Sequence, residues 1–442
     1  MHDLTQLRGA AREIFDHALR AVDPLSAMGS AVRLENSTLI VGEVSLDITA
    51  REIYAIAIGK AAAKMAAGLN QALGSKISAG ILCSHEAGND HNSLGRAWRS
   101  FRGGHPEPNE ASLDAARACF ELLAAADQAR ALVIFLISGG GSAMMEAPAS
   151  DDISLPDLRT ANRLLVHSGA SISEINSVRR AFSAVKGGKL AARVPNCDRI
   201  TLVVSDVPDG EEYSVASGPT IAPDHTSLDA VEVVDRYQLR GELPSSIVRA
   251  INQQQLLPAV SASRREHFVL LNNKDAQVAA ADAARRHGFI TAMASDISDQ
   301  PIDQGCRKLL ERLEGLCANY SADRRVVCLI SGGEFSCPAK GGGTGGRNLE
   351  TGLRLARLQA SSNQPGPFVA LCGGTDGIDG NSPAAGAIVD GTTLKRAQIA
   401  GLSAEDFLAR SDSYSFFCAL SDAITIGPTG TNVRDLRILL AR

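Results

Sequence analysis

Short β-branched runs alternate with amphipathic helical stretches along most of this chain, and that alternation restricts it to a sheet wrapped by helices. Glu52 to Ile58, Ala79 to Cys83, Leu132 to Ile137, Ile200 to Val204, His267 to Leu271, Val326 to Ile330 and Phe368 to Cys372 read as strands. Helical periodicity marks Ala61 to Leu73, Asn109 to Ala126, Ala276 to His287 and Arg307 to Ala318 between them. Near-continuous apolar strands separated by helices require a sheet covered on both faces. We therefore expect an α/β fold with mainly parallel, Rossmann-like sheets.

At 442 residues the chain exceeds one ordinary core and suits two or three domains. The polar, helical segment Ile221 to Ser263 separates two sets of strands, which places a boundary between residues 245 and 265. This gives a first domain of residues 1–250 and a second of residues 251–412, led by the His267 strand. The segment 413–442 repeats the strand-then-loop style in Ala423 to Asn432, and it is a candidate to rejoin the first domain.

With 45% hydrophobic and 21% charged residues the composition is that of a globular protein. A net charge of −5, a pI near 6.0 and no run of Lys or Arg argue against a nucleic-acid partner and an anionic membrane surface. No apolar stretch reaches the roughly 18 residues of a spanning helix, and Met1 to Gly9 is polar rather than signal-like, so a cytoplasmic location is expected. Nine cysteines, an odd number without a Cys-x-x-Cys pair, sit mostly in apolar segments and read as buried thiols. Monomer and homodimer both stay open.

The strands end in similar chemistry: Gly59-Lys60, Ser138-Gly139, Ser205-Asp206, Asn272-Asn273, Ser331 to Glu334, and Gly373 to Asp376. Carboxyl ends of strands face the ligand crevice in open α/β sheets, so a composite site is expected there. Two glycine-rich loops stand out, Ser138-Gly139-Gly140-Gly141-Ser142 and Lys340 to Asn348 with Gly345, Gly346 and Arg347. Backbone without side chains can bring N–H groups close to an anion, and phosphate is the first ligand to suspect.

Lys60 opens a helix at the positive end of its dipole, either as a phosphate or carboxylate ligand or as a solvated lysine. Asn176, Arg179 and Lys186 precede Gly187-Gly188 and suit either an anion clamp or an exposed basic helix ending at glycine. Asp206, Asp376 and Asp379 are suited to holding Mg²⁺ or accepting a proton, with turn chemistry as the alternative for the last two. His105 reads as a loop histidine before a catalytic one. Gly341, Gly343 and Gly346 match dinucleotide spacing, but a run so rich in glycine matches almost automatically. No Walker loop is present.

Taken together, Ala57-Ile58-Gly59-Lys60-Ala61-Ala62, Gly104-His105-Pro106, Ile137 to Ala143, Lys186-Gly187-Gly188, Ser205-Asp206-Val207, Ala216 to Thr220, Ser331 to Glu334, Gly345 to Asn348, Gly374 to Gly380 and Gly427 to Asn432 resemble the class II glycerate kinases (glycerate 2-kinases) with a carboxyl-terminal MOFRL domain. The resemblance implies ATP- and Mg²⁺-dependent phosphorylation of D-glycerate at its 2-hydroxyl, in a cleft between two α/β domains. It also implies catalytic roles for Lys60 and Arg347; Asp206, at its strand end, is our choice for base or metal ligand. Asp376 and Asp379 are the further candidate metal ligands. Ser138, Gly139, Gly140, Gly141, Ser142, Asn176, Arg179, Lys186, Glu334, Gly345, Gly346 and Asn348 are expected to bind substrate or phosphate. Leu349 stands where the family usually has Gln, Ala181 where it has His, Asp209-Gly210-Glu211 has a different order, and Asn381-Ser382-Pro383 lacks an acid. The alternative is an NAD(P)-dependent hydroxypyruvate or tartronate reductase using the Gly341 loop.

Overall fold

The computed structural model describes residues 3–85, 94–222, 228–253, 264–323, 325–362 and 366–442. The chain divides into two compact units, Pro24–Leu271 and Met1–Asp23 with Asn272–Arg442.

The Pro24–Leu271 unit carries a wholly parallel six-stranded sheet, in the order Trp98–Arg102, Ile77–Ser84, Ile53–Ile58, Leu132–Ser138, Asp198–Val204 and Arg265–Leu271. All seven residues of Leu132–Ser138 are buried, as an apolar strand covered on both faces must be. The helix Glu110–Gln128 starts at a capping box between Asn109 and Ser112 and lays Ala115, Cys119 and Leu123 against Ile56, Val133 and Phe135. A separate helical cluster packs Leu158, Leu165, Phe182, Val233 and Ile247 together. From Ile53–Ile58 the chain builds outward on one side, then returns to build the other from Leu132–Ser138. The switch point of the sheet therefore lies between these two strands, where ligands bind in doubly wound folds.

The other unit corrects the expectation of a second mainly parallel sheet. Its order is Ile290–Met293, Val327–Gly333, Asp435–Ala441, Phe368–Gly374, Gly386–Asp390 and Ala423–Ile424, and only the first pairing is parallel. The carboxyl-terminal strand Asp435–Ala441 inserts antiparallel between Val327–Gly333 and Phe368–Gly374. Residues 413–442 thus complete this unit rather than rejoining the first. Leu436, Ile438 and Leu440 pack with Leu7, Ile14 and Phe15 of the first helix, Leu4–Ala21, while Leu439 meets the opposite layer of Leu309 and Leu353. Each such side chain contributes about 1.5–3 kcal/mol by burial, which places the first helix in this unit despite its distance in sequence. Arg8 adds ion pairs to Asp390 and Asp422, 2.6 Å each.

The strand led by His267 also changes sides. Arg265–Leu271 pairs with Asp198–Val204 and completes the parallel sheet, so the chain passes to the other unit at Asn272, which caps the helix Asn273–Arg286. The division therefore falls after residue 271 rather than at 250; residues 254–263, within the expected boundary range, lie outside the described residues. All nine cysteines are free and six are buried; burial pushes the Cys83 thiol up to about 12. Among the described residues no helix is long and apolar enough to cross a membrane.

Candidate active site

At the switch point of the parallel sheet, two chain turns interlock. Gly59 adopts φ +116°, and a Cβ there would overlap the Ser138 carbonyl and hydroxyl; Lys60 N–H donates to the Gly139 carbonyl at 2.9 Å. Ser138 is buried and joins the turns, its hydroxyl donating to the Ile58 carbonyl at 3.1 Å and accepting Ala61 N–H at 3.0 Å. Ser138 therefore shapes the turn instead of facing a ligand. Gly141 is likewise a packing glycine, since a Cβ would meet Ala216 Cβ at 2.8 Å and Ile58 Cγ2 at 3.0 Å.

Gly139 and Gly140 are kept small by Asp206 and His105. A Cβ on Gly139 would overlap the Asp206 carboxylate, and one on Gly140 would come within 3.3 Å of His105 Nε2. Lys60, Asp206 and His105 thus gather around one glycine turn. Gly139→Ala should push Asp206 aside and lower kcat/KM by about 10²-fold, the scale of a 1 Å misplacement. Steady-state kinetics with a thermal melt checks this, and wild-type kinetics would mean that Asp206 need not stay where it is.

Beside this turn, Ser142 Oγ donates to Ser217 Oγ at 2.6 Å, and Ser217 Oγ donates to Asn176 Oδ1 at 2.8 Å. The structure brings Ser142 and Asn176 together through a residue that sequence reasoning missed. Ala216 and Ser217 both hold left-handed backbone, with φ of 53° and 61°. Such strain costs on the order of 1–3 kcal/mol per residue and concentrates at functional sites. Gly187 and Gly188 N–H donate to the Ser217 and Gly218 carbonyls at 3.1 and 2.7 Å and hold the segment.

Lys186 is not presented to a ligand. It is 1% exposed and pairs with Glu146, which is also fully buried and accepts from Ser183 Oγ at 2.6 Å and Ala147 N–H at 3.0 Å. Burial lowers the Lys186 ammonium, and Glu146 opposes that shift. Arg179 Nε donates to Asn162 Oδ1 at 2.8 Å; burial lowers its guanidinium, with Glu146 again opposing. Among the described residues Arg179 makes no ion pair.

In the other unit, Arg347 opens the helix Arg347–Ala360. Its Nε and Nη2 bind Asp435 Oδ2 and Oδ1 at 2.6 and 3.2 Å, and Nη2 pairs with Glu334 Oε1 at 2.7 Å. Burial alone would lower its pKa, but Asp435, Glu334 and Asp379 outweigh that and raise it, so the guanidinium is always charged. Asp435 had no signal in a search of strand ends, because it begins an antiparallel strand and reaches the edge by its amino end, opposite Gly333 and Gly374.

The remaining predicted ligands here have protein partners. Asp379 is buried and accepts Asn348 N–H at 3.0 Å and Leu349 N–H at 2.8 Å, capping the helix that Gly346 leaves uncapped. Burial pushes its carboxyl up to about 7, against the backbone hydrogen bonds from Leu349 and Asn348. Asn348 Nδ2 binds Asp435 Oδ1 at 2.8 Å, and a Cβ on Gly346 would overlap Asp379. Gly343, Thr344 and Gly345 donate their N–H groups to the Arg410 carbonyl, Asp412 Oδ1 and Asn381 Oδ1. Gly343, Gly345 and Gly346 thus pack closely on 410–413 and 379–381, and both carboxylate oxygens of Asp379 accept backbone N–H groups. Asp376 accepts Ile378 N–H at 3.2 Å in the turn chemistry its glycine neighbour suggested.

A turn at the switch point of a parallel α/β sheet, with a lysine and a carboxylate on the turns beside it, has the place in the fold at which doubly wound proteins bind small molecules. Family models match residues 10–252, as a domain of unknown function (DUF4147), and residues 327–435, as the MOFRL family. The chain is 33% identical to a glycerate 2-kinase of Pyrococcus horikoshii, over 98% of this chain and 97% of that one. It is also 33% identical to a D-glycerate 2-kinase of Thermotoga maritima, over 99% of both. A relative in Agrobacterium vitis, 33% identical over 98% of this chain and 94% of its own length, carries a provisional hydroxypyruvate reductase name. The crystal structure of a glycerate kinase from Thermotoga maritima matches with a TM-score of 0.81 and 31% identity, over 99% of this chain and all of that one. The chain belongs to the glycerate kinase family built from DUF4147 and MOFRL parts.

Proposed function

We propose that the protein transfers a phosphoryl group from ATP to the 2-hydroxyl of D-glycerate, giving 2-phosphoglycerate and ADP by direct in-line displacement. The observation that carries this reading is the meeting of Lys60 and Asp206 at the Gly139 turn of the switch point. Phosphoryl transfer asks for charge neutralisation and positioning more than covalent chemistry. Lys60 and Arg347 gather phosphate charge, Asp206 accepts the hydroxyl proton or binds the metal, and Arg179 holds the substrate carboxylate.

Mg²⁺ fits this scheme through Asp206. Among the described residues no group of three or more His, Cys, Asp or Glu side chains forms a protein cage for a metal. Mg²⁺ in phosphoryl transfer is held by one or two carboxylates together with substrate phosphates, and it neutralises charge there. With both oxygens of Asp379 used in capping, Asp206 is the best-placed ligand. D-Glycerate and ATP are then the partners, in the cytoplasm.

The reductase reading is disfavoured by one contact. A dinucleotide pyrophosphate would take the amino terminus of the helix after the glycine run, and the Asp379 carboxylate already occupies that position. Purified protein supplied with D-glycerate, ATP and Mg²⁺ should release ADP in step with glycerate consumed. Oxidation of NADH by hydroxypyruvate, with no ATP turnover, would overturn the kinase reading.

A further inference from the structure

The two carboxylates on Arg347 are held with very different firmness. Asp435 is 2% exposed and begins the central strand, in register with Gly333 on one side and Gly374 on the other. Its Oδ1 also accepts Asn348 Nδ2 at 2.8 Å, and its carbonyl accepts Asn273 Nδ2 at 2.9 Å. Leaving Arg347 would strand a buried charge, a costly change. Glu334 instead lies one residue beyond the strand Val327–Gly333, is 31% exposed and pairs with Nη2 through Oε1 at 2.7 Å on a longer, rotatable side chain.

Glu334 and Asp435 together place two negative charges on one guanidinium. An anionic substrate approaching Arg347 meets that surplus unless one carboxylate leaves, and only Glu334 can leave without burying an unpaired charge. We propose that Glu334 is an exchangeable counter-ion paired with Nη2 of Arg347 until an anionic substrate displaces it, while Asp435 is the permanent positioning residue that keeps the guanidinium aimed. This rests on Arg347 serving the phosphoryl transfer proposed above.

A competing internal anion lowers apparent affinity by the fraction of molecules left competent, so about 90% occupancy by Glu334 costs about tenfold. In the full-length protein, Glu334→Gln should lower KM for the anionic substrate that meets Arg347 by about threefold to tenfold, with kcat within about twofold. Asp435→Asn should lower kcat by about 10²-fold with a smaller change in KM, because the fork is then misaimed at every substrate concentration. Calorimetric titration with inorganic phosphate supplies a readout that needs no turnover. Glu334→Gln should bind phosphate more tightly than wild type by the same factor, and Arg347→Lys should bind it more weakly.

Loss of kcat at unchanged KM in Glu334→Gln, or phosphate binding no tighter than wild type, would overturn the proposal. Should Asp435→Asn fail to fold, the Glu334→Gln titration still decides. A wild-type protein that does not phosphorylate glycerate would sink the functional reading alone, since the phosphate comparison stands without it.

Discussion

Arg347→Ala is expected to lower kcat/KM by about 10³-fold or more, and Lys60→Ala by about 10²–10³-fold, the scale on which a cation stabilises transferring phosphoryl charge. The two variants should differ in stability. Lys60 stands at a half-buried turn, and its backbone N–H makes the bond to Gly139, which Lys60→Ala keeps, so that variant should melt close to wild type. Arg347→Ala leaves Asp435 buried without its cation and should destabilise its unit as well. Arg347→Lys separates the effects. It keeps the charge near Asp435 but cannot reach both Asp435 oxygens and Glu334 in one planar fork, so it should fold and still lose about 10²-fold. Near-normal turnover in Lys60→Ala or Arg347→Lys would remove that residue from the mechanism.

Glu146→Gln is expected to destabilise the Pro24–Leu271 unit by about 3–5 kcal/mol, the usual effect of removing one member of a buried pair. Lys186 would be left with its burial and no opposing carboxylate, so its folded-state pKa would fall further below the ordinary 10.5. The unfolded chain then holds a proton that the folded state has released, and stability of the variant must rise as pH climbs toward 10.5. Wild type lacks this alkaline gain to the extent that Glu146 keeps the ammonium charged. Replacing both partners, as Glu146→Leu with Lys186→Met, should recover much of the loss because no unpaired charge remains. Trp98 is the only tryptophan and lies in a strand of this unit, so its fluorescence during urea unfolding reports the right transition. An unchanged midpoint in Glu146→Gln would mean that the pair contributes nothing.

The parallel sheet and its ligand edge were legible because each strand there carries its own apolar run and ends in its own polar turn. Gly59-Lys60, Ser138-Gly139 and Ser205-Asp206 all lie at the edge where the strand pattern placed them. The other unit was harder to read. Its centre is Asp435–Ala441, whose partners Val327–Gly333 and Phe368–Gly374 lie far upstream and whose antiparallel direction brings a beginning, Asp435, to the edge that its neighbours reach by their ends. Glycine runs are ambiguous for a related reason. Glycine signals close approach but not what approaches, and for Gly343 to Gly346 it is the protein's own 410–413 and 379–381 segments. Glu146 and Asp379 give no local sign of their partners, since each acquires them through tertiary packing. His105 and Ser217 needed the fold to bring them beside residues far away in sequence.

The most direct test of the account is the identity of the phosphorylated product. Wild-type protein incubated with D-glycerate, ATP and Mg²⁺ should yield 2-phosphoglycerate, separated by chromatography from the 3-phosphate, and Lys60→Ala should yield almost none. Formation of 3-phosphoglycerate, or glycerate returned unphosphorylated while NADH and hydroxypyruvate are consumed, would contradict it.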